Sequence, residues 1–303
     1  LDQVKGVGSN LVAVLPGASS KKGPPAAVFG VVTTTLKYED LKAISEKKRV
    51  PNVTGATGYA TGSAELRTKD YSSQTKYQGV TANLIDVEKI ETEKGRFFTT
   101  DEETNLSRVI VLGYNQAKNL FPNENPIGKS VVLKNLKFSV IGTIEKRGSV
   151  AFGSPDDEVY VPLFTAQKVM LNIDYLNLIR AKVDHVENIA RATSDIESIL
   201  RERHGIKNYQ DDDFSVRDTA QALEMLTNIT NVLKYFLISI AAISLVVGGI
   251  GVMNIMLISV HQRIREVGLR IAVGARKTNI ISQFLVESVF VTLAGGVLGI
   301  IVG

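Results

Sequence analysis

Residues 235–260 form a run of 26 without a charge, and no other feature limits the fold of this chain so strongly. A helix of that length spans roughly 39 Å, against about 30 Å for the hydrocarbon core of a bilayer. A soluble helix this long rarely lacks a charge on every face, so the run predicts a membrane span, tilted or with its first turn outside. Directly after it, residues 261–277 hold five basic side chains and one acid. Positive charge flanking a span marks the cytoplasmic side, which puts residues 1 to about 232 outside the membrane. A second apolar stretch, 280–303, broken by Glu287, predicts a returning helix that is truncated. Gly295, Gly299 and Gly303 stand four apart in it, a spacing that lets another helix approach closely in lipid. Glu287 lies early in this span and is a candidate for an interfacial, capping or functional role.

Charge placement agrees. The chain has 35 Lys and Arg against 31 Asp and Glu. Six of the basic residues and two of the acids, Glu266 and Glu287, follow position 232, so the preceding part carries 29 of each and is neutral. An excess confined to the apolar quarter argues for a membrane and against a nucleic-acid surface. There is no cysteine, which excludes disulfides, thiolate metal sites and cysteine nucleophiles. No proline follows Pro162, as long uninterrupted helices require. The chain opens at Leu1 without a signal peptide and stops within an apolar run, so it is expected to be a piece cut at both ends.

The part before the membrane reads as mixed α and β. A short strand at 10–15 precedes a Gly, Ser, Lys and Pro loop at 16–25. Leu41 and Ile44 share a face of a short helix over 38–47. Residues 54–80, rich in Thr, Gly, Ser and Tyr, predict exposed strands and turns. Strands follow at 108–112, 131–133, 137–144, 159–161 and 178–183, with short helices at 115–121 and 165–170. Asp184, with Glu187 three residues on, predicts the cap of an amphipathic helix whose face is Ile189, Ala192, Ile196 and Ile199. Arg201, Arg203 and His204 before Gly205 mark its end. Strand-helix units at both ends thus flank a β-rich insert at 86–171. A last helix is expected after Ser215, capped through Asp218. Its stripe of Ala220, Leu223, Leu226, Ile229 and Leu233 runs without Pro or Gly into the span, as either a stiff stalk or an amphipathic connector.

Motifs for chemistry are scarce. Gly128-Lys129-Ser130 lacks the first glycine of a phosphate loop, since position 123 is Asn. His185, His204 and His261 have no metal-ligand spacing and read as surface or dipole-stabilising residues. Asp211, Asp212 and Asp213 read as a solvated turn, because no EF-hand spacing surrounds them. No Gly-x-Ser-x-Gly is present, and Asn52-Val53-Thr54 fits a glycosylation sequon. No catalytic, cofactor or metal residue is therefore expected in this chain. What stands out is the basic stretch 263–276, where apolar and charged positions mix at helical spacing and Gly274 marks a turn. It predicts a short helix along the inner membrane surface, suited to lipid headgroups or a soluble partner.

Arg265-Glu266-Val267-Gly268-Leu269-Arg270, then Val273-Gly274-Ala275-Arg276, directly after a span, resembles the cytoplasmic signature of MacB-type and FtsX-like ABC transporter permeases. The outer part resembles the same family in order: Gly95-Arg96-Phe97-Phe98, Val109-Ile110-Val111-Leu112-Gly113, Ala117 with Leu120-Phe121, Asn125-Pro126-Ile127-Gly128-Lys129, and Phe138-Ser139-Val140-Ile141-Gly142. The resemblance implies an α+β extracytoplasmic domain over 1–221, with a porter-like α/β subdomain (1–85 and 172–214) and an inserted β-rich subdomain (86–171). A helical stalk (215–234) joins it to transmembrane α-helices at 235–260 and 280–303, separated by a cytoplasmic coupling loop at 261–279. It makes Gly128-Lys129-Ser130 a structural turn.

The resemblance further implies a multi-pass protein of the bacterial inner, cytoplasmic membrane. This permease subunit would couple cytoplasmic ATP hydrolysis to movement of the outer domain, called mechanotransmission, for export or extraction of peptides, drugs, toxins or lipoproteins. ATP and Mg would sit on an ABC ATPase, a partner subunit or a fused domain, and this chain would hold no cofactor. A permease homodimer, a periplasmic adaptor (membrane fusion) protein and membrane lipid are the implied partners, with no nucleic acid. Arg263, Arg265, Glu266, Val267, Gly268, Arg270, Gly274, Ala275 and Arg276 would form the ATPase-docking loop. Leu223, Leu226, Ile229 and Leu233 would pack the stalk, and Gly295, Gly299 and Gly303 the helix contact. Two other functions fit the same pattern: an FtsX-like signalling permease controlling cell-wall hydrolases, and a membrane-anchored adaptor or adhesion protein.

Overall fold

The computed structural model describes residues 10–17, 33–148 and 154–302, with backbone alone at 219–226, 300 and 302. Most of the loop expected at 16–25 lies outside the described residues, as does Gly303. The chain divides into two compact units, Leu1–Thr227 and Asn228–Gly303.

In the first unit the strands are β1 (Leu11–Pro16), β2 (Val53–Arg67), β3 (Ser72–Val80), β4 (Thr92–Gly95), β5 (Val109–Leu112), β6 (Ser130–Leu133), β7 (Leu136–Ile144), β8 (Glu158–Pro162), β9 (Leu178–Val183) and β10 (Phe214–Asp218). They join in the order β10-β1-β9-β2-β3-β8-β5-β7-β4, with β6 against β2 and β7. The β3–β8 and β5–β7 pairs are parallel and the remainder antiparallel. Between strands lie α1 (Tyr38–Ser45), α2 (Leu84–Glu88), α3 (Thr100–Thr104), α4 (Tyr114–Leu120) and α5 (Ile189–His204).

Register decides which face is apolar. Val216 pairs with Val14, Val14 with Ile179, Val12 with Ala181, and Ala181 with Ala56, so these side chains line one face of four adjacent strands. Leu41 and Ile44 of α1 and Ile189, Ala192, Ile196 and Ile199 of α5 bury in the same core, as their spacing predicts. The α5 helix ends at Gly205 with φ 68°, the left-handed cap expected there.

The opposite face carries charge. Arg180 on β9 stands across from Thr57 and Ala13. The Glu88 carboxylate at the end of α2 accepts hydrogen bonds from Arg180 and the Tyr59 hydroxyl. Arg147, after β7, lies 3.5 Å from its other oxygen. A second core of Tyr59, Val80, Leu84, Ile90, Phe97, Phe98, Val111, Ile144 and Tyr160 lies nearby.

Residues 54–80 depart from the exposed reading. They form the long β2–β3 hairpin, in which Ala56, Thr57, Tyr59, Ala60, Leu66 and Tyr77 are buried. Small residues are needed because neighbours press close: a Cβ at Gly58 would sit 3.1 Å from both Leu41 and Leu176. The first half of β2 pairs with β9 and its last two residues with β6, so one strand runs through both halves of the sheet.

The last helix also starts later than expected. Residues 214–218 are strand β10, with Ser215 opposite Leu15 and Phe214 buried. Their alternation, with Phe214 and Val216 on one side, is the strand period that competes with the Ser215–Asp218 capping pattern. Helix α6 begins at Thr219. Asp184, likewise, accepts from its neighbour His185 N (2.7 Å) and from Asn188 Nδ2 (2.9 Å), ordering a 3₁₀ turn at Val186–Asn188 before α5 begins at Ile189. Residues 165–171 wind as a π-helical turn.

The acid triplet is not merely solvated. Asp212 takes a two-pronged contact from Arg201 at 2.8 and 2.7 Å. Asp213 meets His204 Nδ1 at 2.6 Å, while Nε2 of that ring lies 3.3 Å from Asp40 on α1. His204 thus clamps the end of α5 between two carboxylates.

Glu103 on α3 is 4% exposed; one of its carboxylate oxygens accepts from Ala82 N at 2.8 Å and the other has no partner. Burial pushes its pKa up from 4.5 to about 7, against the smaller opposing effect of the Ala82 amide. A carboxyl whose folded pKa is raised supports the fold below its unfolded value and loses that support as pH rises through the folded one. Glu103→Gln should therefore match the parent at pH 4 and gain about 1–3 kcal/mol at pH 8, since about 1.4 kcal/mol per pH unit sets the ceiling. Denaturant unfolding at both pH values measures this, and an equal effect at both would count against it.

The second unit holds the membrane part of α6 (Thr219–Gln262), a short α7 (Ile264–Ala272) and α8 (Lys277–Val302). Two stretches, Thr227–Gln262 and Lys277–Gly299, are long and apolar enough to cross a membrane. Their large apolar side chains, among them Leu245, Phe290 and Leu293, stand exposed, as lipid-facing residues do.

Candidate functional site

The junction between α6 and α8 is built by local backbone chemistry. Arg263 ends α6, its amide donating to the Ser259 and Val260 carbonyls at 3.2 and 3.1 Å, and it caps α7 in a non-helical conformation. At the other end Gly274 adopts φ 101°. Gly274 N donates to Ile271 O (3.0 Å) and Ala275 N to Arg270 O (2.9 Å), the paired bonds of a Schellman turn. Only glycine adopts that φ without strain, which explains the break read at this position. The Arg276 carbonyl then accepts from Asn279 N (3.0 Å) and opens α8.

The side chains divide by face. Glu266 and Arg270, four apart, pair at 2.5 Å on α7. Arg270 also donates to Gln283 Oε1 on α8 at 2.8 Å, so it is partly covered, as is Val267. Arg263 reaches Glu287 on α8 at 3.6 Å. Arg265, Gly268 and Arg276 are exposed and Ala275 is half-buried. Leu269 and Val273, at 67% and 87%, are the most exposed large apolar side chains between the two long helices. Ile280 is the one buried residue among those described in the second unit.

Of the other expected contacts, Ile229 and Leu233 are exposed at 46% and 57%, while the side chains of Leu223 and Leu226 lie outside the described residues. Gly295 and Gly299 face open space. Gln283 was not singled out from the sequence. The readable signal was its four-residue spacing to Glu287, two polar groups on one stripe of an apolar helix.

This arrangement presents charge and apolar surface rather than reactive groups. Among the described residues no cluster of His, Cys, Asp or Glu is placed to hold a metal. Two carboxyls pushed well away from their ordinary range, Glu102 and Glu103, both lie on α3 of the first unit. Arg96 holds Glu102 down at about 2 through two 2.7 Å hydrogen bonds.

Comparison with known proteins gives two family matches: the MacB-like periplasmic core domain over residues 1–199, and the FtsX-like permease C-terminal region over 238–303. The macrolide export ATP-binding/permease protein MacB of Azoarcus sp. (strain BH72) is 36% identical over 304 aligned residues, covering 100% of this chain and 44% of the relative. The protein of the same name from Chlorobaculum tepidum is 41% identical, covering 100% of the chain and 46% of the relative. The chain thus spans about half the length of the curated relatives it matches. Among solved structures, the periplasmic region of MacB from Actinobacillus actinomycetemcomitans aligns with TM-score 0.60 at 22% identity, covering 75% of this chain and 97% of that one. The extracellular domain of the noncanonic ABC-type transporter YknZ from Gram-positive bacteria aligns with TM-score 0.54 at 19% identity, covering 69% and 100%. Both share the fold of the first unit.

Proposed function

The chain belongs to the MacB-type, FtsX-like permease family, and on that premise we propose that it is the membrane subunit of an ABC transporter that turns cytoplasmic ATP hydrolysis into movement of its outer domain. The proposed placement is multi-pass in the bacterial inner membrane, with the first unit on the periplasmic side. The proposed partners are an ABC ATPase, separate or fused, a second copy of the permease and a periplasmic adaptor. Export or extraction of a substrate is the proposed outcome, and the names of the relatives make a macrolide the first probe.

One observation carries the reading: a short charged helix stands between two helices long enough to span a bilayer, with apolar Leu269 on it and Val273 at its C-terminal cap both uncovered. Exposed apolar side chains beside Arg265 and Glu266 suit a soluble protein that brings a groove with matching charge. Membrane-side docking gives α7 the task of receiving motion from the ATPase.

Arg265→Glu reverses an exposed charge on α7 and leaves Arg263 and Arg270 in place. Macrolide export per ATP hydrolysed should fall by about tenfold, the span of an ordinary coupling free energy. Transport and ATP turnover both at parental levels would show that α7 is not the docking element.

A further inference from the structure

Glu287 poses a physical problem. It sits ten positions into α8, next to Val286 and one turn from Phe290, both exposed apolar side chains suited to lipid. A carboxylate there is costly to keep charged without a partner. The partner is Arg263, at the hinge between α6 and α7.

One turn closer to the start of α8, Gln283 takes the second contact, from Arg270 near the end of α7. Gln283 and Glu287 are four apart and so share a stripe of α8 with buried Ile280. That stripe therefore holds α7 at both ends: Arg263 stands immediately before its first residue and Arg270 two before its last. Two fixed points set the direction of a rod, whereas one leaves it free to pivot. Both contacts also grow stronger where water is excluded.

We infer that Arg263–Glu287 and Arg270–Gln283 form a polar brace that makes α7 and the first turns of α8 one rigid lever. Gln283 and Glu287 are then positioning residues for coupling, although neither lies on the surface offered to a partner. The coupling role rests on the reading of α7 as the docking element; the brace itself does not.

The test uses the full-length protein with its ATPase in lipid nanodiscs. Spin labels at Ile271 and Leu293, both exposed, report the separation of α7 from α8 by pulsed EPR. Glu287→Arg should broaden the distance distribution and lower macrolide export per ATP by about fivefold or more. Adding Arg263→Glu, which restores the pair with its charges exchanged, should recover both. Glu287→Gln, which keeps the shape, should give a smaller change in the same direction and serves if the reversal fails to insert.

A distribution unchanged by both Glu287→Arg and Glu287→Gln overturns the brace. Broadening without loss of coupling overturns its coupling role. If the brace responds and is rescued while Arg265→Glu leaves transport intact, the fault lies with the docking assignment and the brace stands.

Discussion

Gly113→Ala should destabilise the first unit by about 3 kcal/mol or more, placing it among the most damaging single-methyl additions open to this fold. The reason is space rather than backbone freedom. Gly113 has φ −64° and ψ 158°, which any residue adopts. A Cβ at that position would lie 2.5 Å from the Glu158 carbonyl oxygen, 2.6 Å from that of Pro155 and 2.7 Å from that of Asp156. None of these can yield as a side-chain tip could. Strand β8, which begins at Glu158, is paired on both sides, to β3 and β5, and Gly113 N itself donates to Glu158 O at 2.9 Å. At about 2–4 °C per kcal/mol for a unit of this size, Tm should drop by roughly 6–12 °C. Gly128→Ala is the control. Gly128 has φ 79° with nothing within 4 Å of the added carbon, so only conformational strain enters, about 1 kcal/mol. A Gly113→Ala protein melting with or above Gly128→Ala would refute the argument from space.

Removing the carboxylate of Glu88 should cost about 3–5 kcal/mol, because the groups it neutralises stay behind. Its side chain is 9% exposed, and those of Arg147 and Arg180 are 15% and 27%. Glu88→Ala leaves two guanidinium groups together and takes the acceptor from the Tyr59 hydroxyl, whose pKa burial pushes well up, so that it stays a donor. Replacing Glu88 and Arg180 together by leucine should recover much of the loss, since the deficit comes from unmatched charge and not from missing attraction. The pair also writes an acid limb into the stability curve. Burial works to raise the pKa of Glu88, but the Arg180 charge, the hydrogen bonds from Tyr59 and Arg180, and Arg147 outweigh it, leaving it below 4.5. A carboxylate lowered in this way supports the fold above its unfolded pKa and loses that support as pH falls through the lower folded value. The parent should therefore weaken below about pH 4.5 more steeply than Glu88→Gln. Parallel acid limbs in the two proteins would contradict this account.

What could be read from the sequence was what repeats locally. The face of α5, the Leu41–Ile44 pair of α1, the strands from β5 to β9 and the two apolar helices each rest on a period within one segment, and all are present. Places where two local patterns compete were misread. Ser215 and Asp218 spell a helix cap, yet Phe214 and Val216 spell a strand, and the strand prevails because β1 offers it hydrogen bonds from two hundred residues away. The β2–β3 hairpin looked exposed because its Gly, Ala and Thr carry little apolar signal. Their smallness is what admits Leu41, Leu176 and Tyr77.

The site divides in the same way. The α7 segment, its Gly274 stop and its basic charge were legible as consecutive residues. The contacts from Arg263 to Glu287 and Arg270 to Gln283 were not, since they depend on how the chain returns after the turn. Glu88 and Arg180, 92 positions apart, are illegible for the same reason.

The sheet order also sets a timetable. Strand β1 lies between β9 and β10, so Val12 must wait for Ala181 and then for Asp218 before its hydrogen bonds are complete. At about 5–20 residues per second of synthesis, that is roughly 10–40 s before an apolar strand has made all of its final bonds. The very next residue, Thr219, opens α6. The ribosome thus delivers the last strand of the sheet and the first turn of the long apolar helix as one event, and closure of the fold coincides with the approach of its anchor to the bilayer.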